Sequence, residues 1–182
     1  MISITKLLMD TPNYGDQLRY EPKAHECKNG VAPGRGPVVV WNCTKTCNLS
    51  CVHCYARSEA IKYQNELSHE EGLALIDQLS DFKVPVILFS GGEPLLRPDF
   101  FELANYAASK GIRPTISTNG TCITEDVAKK LKDMGVGYVG ISLDGCEATH
   151  DKFRGKEGAY RLLVPRCRAQ AGARRGGGAR VS

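Results

Sequence analysis

The chain has 182 residues, 42% apolar and 24% charged, a composition typical of a folded globular chain rather than a disordered one. No segment approaches the about 20 apolar residues of a membrane-spanning helix, and Met1–Asp10 lacks the features of a signal peptide, which predicts a cytoplasmic protein with no membrane partner. The net charge of +4 arises from residues 164–182, which carry five arginines and no acid, so the nearly neutral remainder is not predicted to bind nucleic acid.

The predicted strands begin after an N-terminal extension. Residues 1–36 are rich in Pro, Gly, Asn and Asp and show little periodicity, so we interpret them as an extension that wraps the rest of the fold or is partly loose. Residues 38–41 form a continuous apolar run, which is typical of a strand with both faces covered in a parallel sheet. Runs of similar length at 86–89, 114–117 and 138–141 predict three more strands.

Helical patterns lie between the later strands. Ser68 and Glu71 have the spacing of a capping box, which predicts the start of a first helix. Two further helices are bounded by typical start and stop residues, namely Pro98–Asp99 with Gly111, and Thr124 with Gly135. Alternating strands and helices predict an α/β fold with parallel strands.

A cluster of cysteines follows the first predicted strand. Cys47, Cys51 and Cys54 form a CxxxCxxC pattern, and Cys43 precedes them at the strand end. Disulfides do not persist in a reducing compartment, so the clustering points to a metal site or a catalytic thiol. Three thiolates can hold an iron–sulfur cluster and leave one iron open, whereas structural zinc usually needs a second pair of ligands, which does not follow here. The spacing favours an iron–sulfur cluster, with zinc and coincidence as the alternatives.

Four motifs together resemble the radical S-adenosylmethionine (SAM) superfamily. The cysteine pattern carries His53 before its last cysteine, and the other three motifs each follow a predicted strand: Phe89-Ser-Gly-Gly-Glu-Pro94, Ser117-Thr-Asn-Gly120 and Ser142-Leu-Asp-Gly145. The resemblance covers residues 37–163 and implies a partial (β/α)6 TIM-like barrel in which about four βα units are present. It implies a radical SAM enzyme of the oxidoreductase or lyase type.

The resemblance also implies roles for individual residues. Cys47, Cys51 and Cys54 would hold a [4Fe–4S] cluster whose open iron binds SAM, and Cys43 would be structural. One-electron reduction would then cleave SAM to methionine and a 5′-deoxyadenosyl radical. The SAM molecule would be bound by residues of the other three motifs, with the glycines admitting its ammonium group closely: Gly91, Gly92, Glu93, Pro94, Ser117, Asn119, Ser142 and Asp144.

The N-terminal third narrows the resemblance further. Gly15-Asp-x-Leu-Arg-Tyr20 and Gly36-Pro-Val-Val-Val-Trp-Asn42 resemble the NirJ-like, SPASM-type proteins of heme d1 biosynthesis and the siroheme-dependent heme route. This implies a siroheme-derived tetrapyrrole substrate, with an electron donor such as ferredoxin or flavodoxin. Carboxylates of that substrate would meet basic residues near the strand ends: Arg57, Lys62, Arg97 and Arg154. The alternatives are a SPASM-type peptide-maturing enzyme and, from another class, a non-catalytic metal- or cluster-binding module.

The last 19 residues differ in composition from the rest of the chain. Residues 164–182 are dominated by Arg, Gly and Ala, although the end of a fifth strand is due near residues 168–171. We therefore interpret this tail as non-native and the chain as a truncated, inactive form. The interpretation predicts that the fourth strand has an unpaired edge.

Overall fold

The computed structural model describes Gly34, residues 36–163 and the backbone of Arg180–Val181. Within this part of the chain, parallel strands form one sheet in sequence order: β1 (Val39–Thr44), β2 (Val86–Gly91), β3 (Arg113–Thr118), β4 (Tyr138–Ile141) and β5 (Arg180–Val181). The described helices are α1 (His69–Asp81), α2 (Phe100–Ser109), α3 (Glu125–Asp133) and α4 (Glu147–Arg154), with a 3₁₀ turn at Pro94–Leu96. Residues 159–163 are also helical.

The apolar core lies between the sheet and the helices. Trp41 pairs with Phe89 across β1 and β2, with ring centroids 5.6 Å apart, and Phe89 meets Phe100 of α2 edge to face at 5.4 Å. Helices α1 and α2 approach each other closely because Gly72 has no side chain where Leu103 packs. Ser90 and Ser117 alternate with this buried set and face the opposite side, where they line a cavity together with Ser142, the residue after β4.

The structure confirms the predicted α/β fold and the four strands. It also confirms the capping box, since the Ser68 hydroxyl accepts from the Glu71 N–H while the Glu71 carboxylate accepts from the Ser68 N–H. Helix α4 was not predicted, because it directs His150 and Arg154 inward and therefore lacks an apolar stripe. Among the described residues, no helix is long and apolar enough to cross a membrane.

The prediction of an unpaired edge on the fourth strand is wrong. Arg180–Val181 lies parallel to β4, with Gly140 opposite Arg180 and Ile141 opposite Val181. A strand edge offers free backbone N–H and C=O groups, which a short extended segment can satisfy whatever its composition. Almost all of the expected extension over 1–36, and the tail from 164 except for these two residues, lie outside the described residues, so those two boundaries stay predictions.

Candidate active site

A cavity of about 310 Å³ opens at the carboxyl ends of β2, β3 and β4. Most residues expected to hold cofactors line it: Cys47, Cys51, Cys54, Gly91, Gly92, Ser117, Asn119, Ser142 and Asp144. The remaining wall is formed by Leu49, His53, Tyr55, Ser58, Ser90, Thr118, Leu143 and Arg154. Parallel strands bring their carboxyl ends together at one edge, which explains why motifs far apart in sequence converge.

The glycines after β2 pack against the chain that enters the cysteine loop. The Gly92 N–H donates to the Thr44 carbonyl at 2.7 Å, and the Glu93 N–H donates to the Thr46 carbonyl at 2.9 Å. A Cβ on Gly92 would overlap the Thr46 carbonyl oxygen, and one on Gly91 would overlap that of Thr44. The close approach that requires glycine here is therefore made to the protein's own backbone, although both glycines also line the cavity.

The far side of the cysteine loop is held by the end of α4. Ser50 donates its backbone N–H to the Arg154 carbonyl at 3.2 Å, and Val52 donates to the Phe153 carbonyl at 2.9 Å. Gly155 ends the helix in the left-handed region, with φ of 64°, and a Cβ there would overlap the Ser50 carbonyl oxygen. The loop is thus fixed from both sides by backbone contacts.

Each of the three cavity thiols receives a hydrogen bond from an N–H group. The Asn119 amide lies 3.7 Å from Cys47 Sγ, Arg154 Nη1 lies 3.7 Å from Cys51 Sγ, and the Ser58 backbone N–H lies 3.4 Å from Cys54 Sγ. Hydrogen bonds of this kind stabilise thiolates that ligate iron–sulfur clusters.

Burial and hydrogen bonds act in opposite directions on these thiols. Burial raises the pKa of Cys47 against the opposing effect of the Leu49 N–H. Burial also acts to raise the pKa of Cys54, but the hydrogen bonds from Ser58 and neighbouring backbone N–H groups outweigh it, and the pKa is lowered overall. Cys43 instead lies in the apolar core with its Sγ 3.5 Å from the Ser90 carbonyl, and burial raises its pKa to about 12.

Glu93 and Pro94 lie behind the cavity wall rather than in it. The Glu93 side chain is fully buried, and its carboxylate accepts from the Thr118 hydroxyl at 2.8 Å, the Asn119 N–H at 2.8 Å and the Leu95 N–H at 3.1 Å. Burial raises the pKa of this carboxyl group against these three hydrogen bonds. The Glu93 carboxylate therefore joins the ends of β2 and β3 and does not line the cavity where SAM was expected to bind.

Arg154, which was expected to meet substrate carboxylates, lies in the cavity wall although none of the four motifs contains it. Its Nε lies 2.6 Å from Asp144 Oδ2, while His53 Nε2 lies 4.0 Å from the other Asp144 oxygen. The Asp144 N–H in turn donates to His150 Nδ1 at 3.2 Å, and burial lowers the pKa of that imidazole. The four-residue spacing of His150 and Arg154 on one helix face was the available signal.

The basic residues expected to meet substrate separate into two kinds. Arg97 is buried against Trp41 and donates to the Cys43 carbonyl at 2.8 Å, so its guanidinium belongs to the core. Arg154 lines the cavity, where it pairs with Asp144. The burial of Arg97 corrects its assignment to substrate carboxylates. Arg57 and Lys62 are exposed on the loop after the cysteines.

The three cavity thiols fit an iron–sulfur cluster in their donor chemistry. They come from one loop that backbone contacts hold at its entrance and its middle, they line one space, and each has its own N–H donor. Among the described residues, no three His, Cys, Asp or Glu side chains converge closely enough to hold a single metal ion.

Comparisons with known proteins agree with the sequence motifs. The profile of the radical SAM superfamily matches residues 41–167. Fe-coproporphyrin III synthase of Methanosarcina barkeri is 54% identical over 163 residues, which is 88% of this chain and 41% of that protein. Pre-heme d1 synthase of Dinoroseobacter shibae is 43% identical over 148 residues, or 81% of this chain and 36% of that protein. This chain therefore spans less than half the length of these relatives.

A solved structure shares the fold. Native anSMEcpe with bound AdoMet superposes with a TM-score of 0.63 and 24% identity, covering 75% of this chain and 40% of that one. An identity this low shows the shared architecture alone.

Proposed function

The chain belongs to the radical SAM superfamily, whose members use a [4Fe–4S] cluster and SAM, and from this premise we propose that Cys47, Cys51 and Cys54 hold the cluster. The observation that carries the proposal is the convergence of these thiols with the ends of β2, β3 and β4 around one cavity. When bound there and given one electron, the cluster would cleave SAM to methionine and a 5′-deoxyadenosyl radical, the chemistry needed to abstract hydrogen from a substrate.

The polar groups of the wall match the polar groups of SAM. Arg154 is the one Lys or Arg side chain among the described residues that line the cavity, and only 8% of the residue is exposed. We assign it to the methionine carboxylate, since guanidinium binds carboxylates in a planar, two-pronged manner. Ser117 and Ser142 present hydroxyls for the ribose, and Asp144 holds the Arg154 guanidinium in place at 2.6 Å.

The geometry gives Arg154 two tasks at once. Its Nη1 lies 3.7 Å from Cys51 Sγ, and its Nε lies against Asp144. A carboxylate bound to the remaining face of the guanidinium would sit beside the cysteine loop, where the cluster would be. The residue would thereby orient SAM relative to the cluster.

For the substrate we propose a siroheme-derived tetrapyrrole, in heme or heme d1 biosynthesis. The support is the similarity to Fe-coproporphyrin III synthase and pre-heme d1 synthase, at 54% and 43% identity. Arg57 and Lys62, exposed on the loop after the cysteines, are the side chains free to meet substrate carboxylates. We propose a small redox protein such as ferredoxin or flavodoxin as the electron donor, and a cytoplasmic location because the thiols must stay reduced.

Two experiments test the proposal. Anaerobically reconstituted protein should form 5′-deoxyadenosine from SAM and a reductant, and the Cys54→Ala variant should not. Spectral titration with 12,18-didecarboxysiroheme should show binding, and a candidate precursor peptide should bind more weakly or not at all. Peptide binding without tetrapyrrole binding would favour a peptide-maturing enzyme instead.

A further inference from the structure

A closed ring of hydrogen bonds joins the cysteine loop to the loop after β3. Asn119 Nδ2 donates to Asn48 Oδ1 at 3.0 Å, Asn48 Nδ2 donates to Thr121 Oγ1 at 2.8 Å, and Thr121 Oγ1 donates to Asn119 Oδ1 at 2.6 Å. Each member donates to the next, so the bonds strengthen one another. The ring holds the Asn119 side chain directly beside Cys47.

The orientation of the Asn119 amide follows from one backbone donor. The Thr121 N–H lies 2.8 Å from Asn119 Oδ1, and a backbone N–H can only donate. The oxygen must therefore face Thr121, which turns the NH₂ group toward Asn48 and toward Cys47 Sγ, 3.7 Å away. If the amide were turned the other way, the Asn119 NH₂ group would face the Thr121 N–H, and two donors would meet.

This arrangement uses the full hydrogen-bonding capacity of the Asn119 side chain. An amide side chain has two N–H donors and two acceptor lone pairs. The donors go to Asn48 Oδ1 and Cys47 Sγ, and both acceptor sites are taken by Thr121. The residue is only 7% exposed. No hydrogen-bonding group of the Asn119 side chain remains for a SAM ribose or carboxylate.

We propose that Asn119 acts on the cluster rather than on SAM. Its side chain donates a hydrogen bond to the Cys47 thiolate and thereby raises the reduction potential of the cluster. Thr121 positions the Asn119 side chain. The inference rests on the proposed cluster at Cys47, Cys51 and Cys54. A hydrogen bond to a ligating sulfur favours the reduced cluster, which carries one more negative charge. Loss of that bond should make the cluster harder to reduce.

The test measures the midpoint potential of the reconstituted cluster and, separately, the Kd for SAM. Asn119→Ala should shift the potential to more negative values and leave the Kd for SAM within about twofold of the wild type. Asn119→Asp keeps the oxygen that accepts from Thr121 but replaces the N–H donor with a negative charge, so it should shift the potential further in the same direction. Asn105→Ala, at an exposed position on α2, is the matched control and should change neither quantity.

The positioning role of Thr121 has its own pair of variants. Thr121→Val removes the hydroxyl at nearly constant shape and should lower the potential, whereas Thr121→Ser keeps the hydroxyl and should restore it. A structural defect would alter iron content in both, so iron content is measured alongside.

Failure of the inference is distinguishable from failure of the proposed function. Wild-type protein that takes up no iron–sulfur cluster would overturn both. A wild-type cluster whose potential is unchanged in the Asn119 variants, or Asn119 variants that lose SAM affinity tenfold at constant potential, would overturn the inference and leave the cluster assignment intact.

Discussion

Ser50 and Arg154 are joined by a backbone hydrogen bond of 3.2 Å that ties the middle of the cysteine loop to the end of α4. With the contacts of Gly92 and Glu93 to Thr44 and Thr46, it fixes the entrance and the middle of the loop. The residues that hold the cysteines therefore come from βα units on either side of the cavity. All of them lie in the described part of the chain.

Glycine at position 92 should be required for cluster uptake. A Cβ there would overlap the Thr46 carbonyl, so Gly92→Ala should displace the cysteine loop and reduce iron incorporation several-fold. Gly111→Ala is the matched control, because Gly111 has φ of 80° but no atom within 4 Å of the added Cβ. The control should lose about 1 kcal/mol of stability from backbone strain and keep its iron. Equal iron content in both variants would contradict the account.

The ligand assignment predicts different outcomes for four neighbouring cysteines. Replacing any one of Cys47, Cys51 or Cys54 with Ala should abolish cluster loading, because each thiol lines the cavity. Cys43→Ala should leave loading largely intact, since Cys43 lies in the apolar core. Iron and sulfide analysis after anaerobic reconstitution checks this. A requirement for Cys43, with one of the other three dispensable, would show the assignment to be wrong.

The buried Glu93 carboxyl should make stability depend on pH. Burial raises its pKa above the ordinary value of 4.5, so the folded state keeps this proton to a higher pH than the unfolded state. The resulting stabilisation is complete below about pH 4.5 and is lost as pH rises through the folded-state pKa, because the unfolded chain releases the proton first.

Glu93→Gln, which does not titrate, isolates this contribution. Free energies of unfolding from urea titrations should show the wild type losing stability relative to Glu93→Gln as pH rises above about 4.5. The variant loses some stability at every pH, because an amide cannot accept all three hydrogen bonds that Glu93 accepts, so the slope is the diagnostic quantity. Parallel curves would show that Glu93 titrates normally.

Arg154 should contribute to SAM affinity through its guanidinium geometry. Arg154→Lys keeps the charge and loses the planar fork, so the Kd for SAM should rise about 10-fold or more, the equivalent of about 1.5 kcal/mol. Arg161→Lys is the control, because Arg161 is 80% exposed and pairs with Glu147 at 2.5 Å outside the cavity. Isothermal titration of both variants against SAM is the measurement. An unchanged Kd in Arg154→Lys would remove this residue from the SAM site.

The sequence predicts the features that depend on residues close together in the chain. The apolar run at β2 and the Ser68–Glu71 spacing each predict an element that the structure contains. Cys47, Cys51 and Cys54 could be grouped because they are close in sequence.

The remaining features depend on contacts between distant segments. Nothing local indicates that Arg154 reaches Cys51 or that Asn119 faces Cys47. Gly92 was expected to make room for a ligand, but its neighbour is Thr46. Which group lies next to a glycine is decided by the packing of distant segments, and the local sequence does not specify that packing.

The cluster and its response to SAM are tested most directly by electron paramagnetic resonance of the reduced, reconstituted protein, with iron and sulfide counted in the same sample. The account predicts about four irons and four sulfides per chain and a spectrum that changes when SAM is added. A colourless protein with one equivalent of zinc, or a cluster whose spectrum does not respond to SAM, would contradict it.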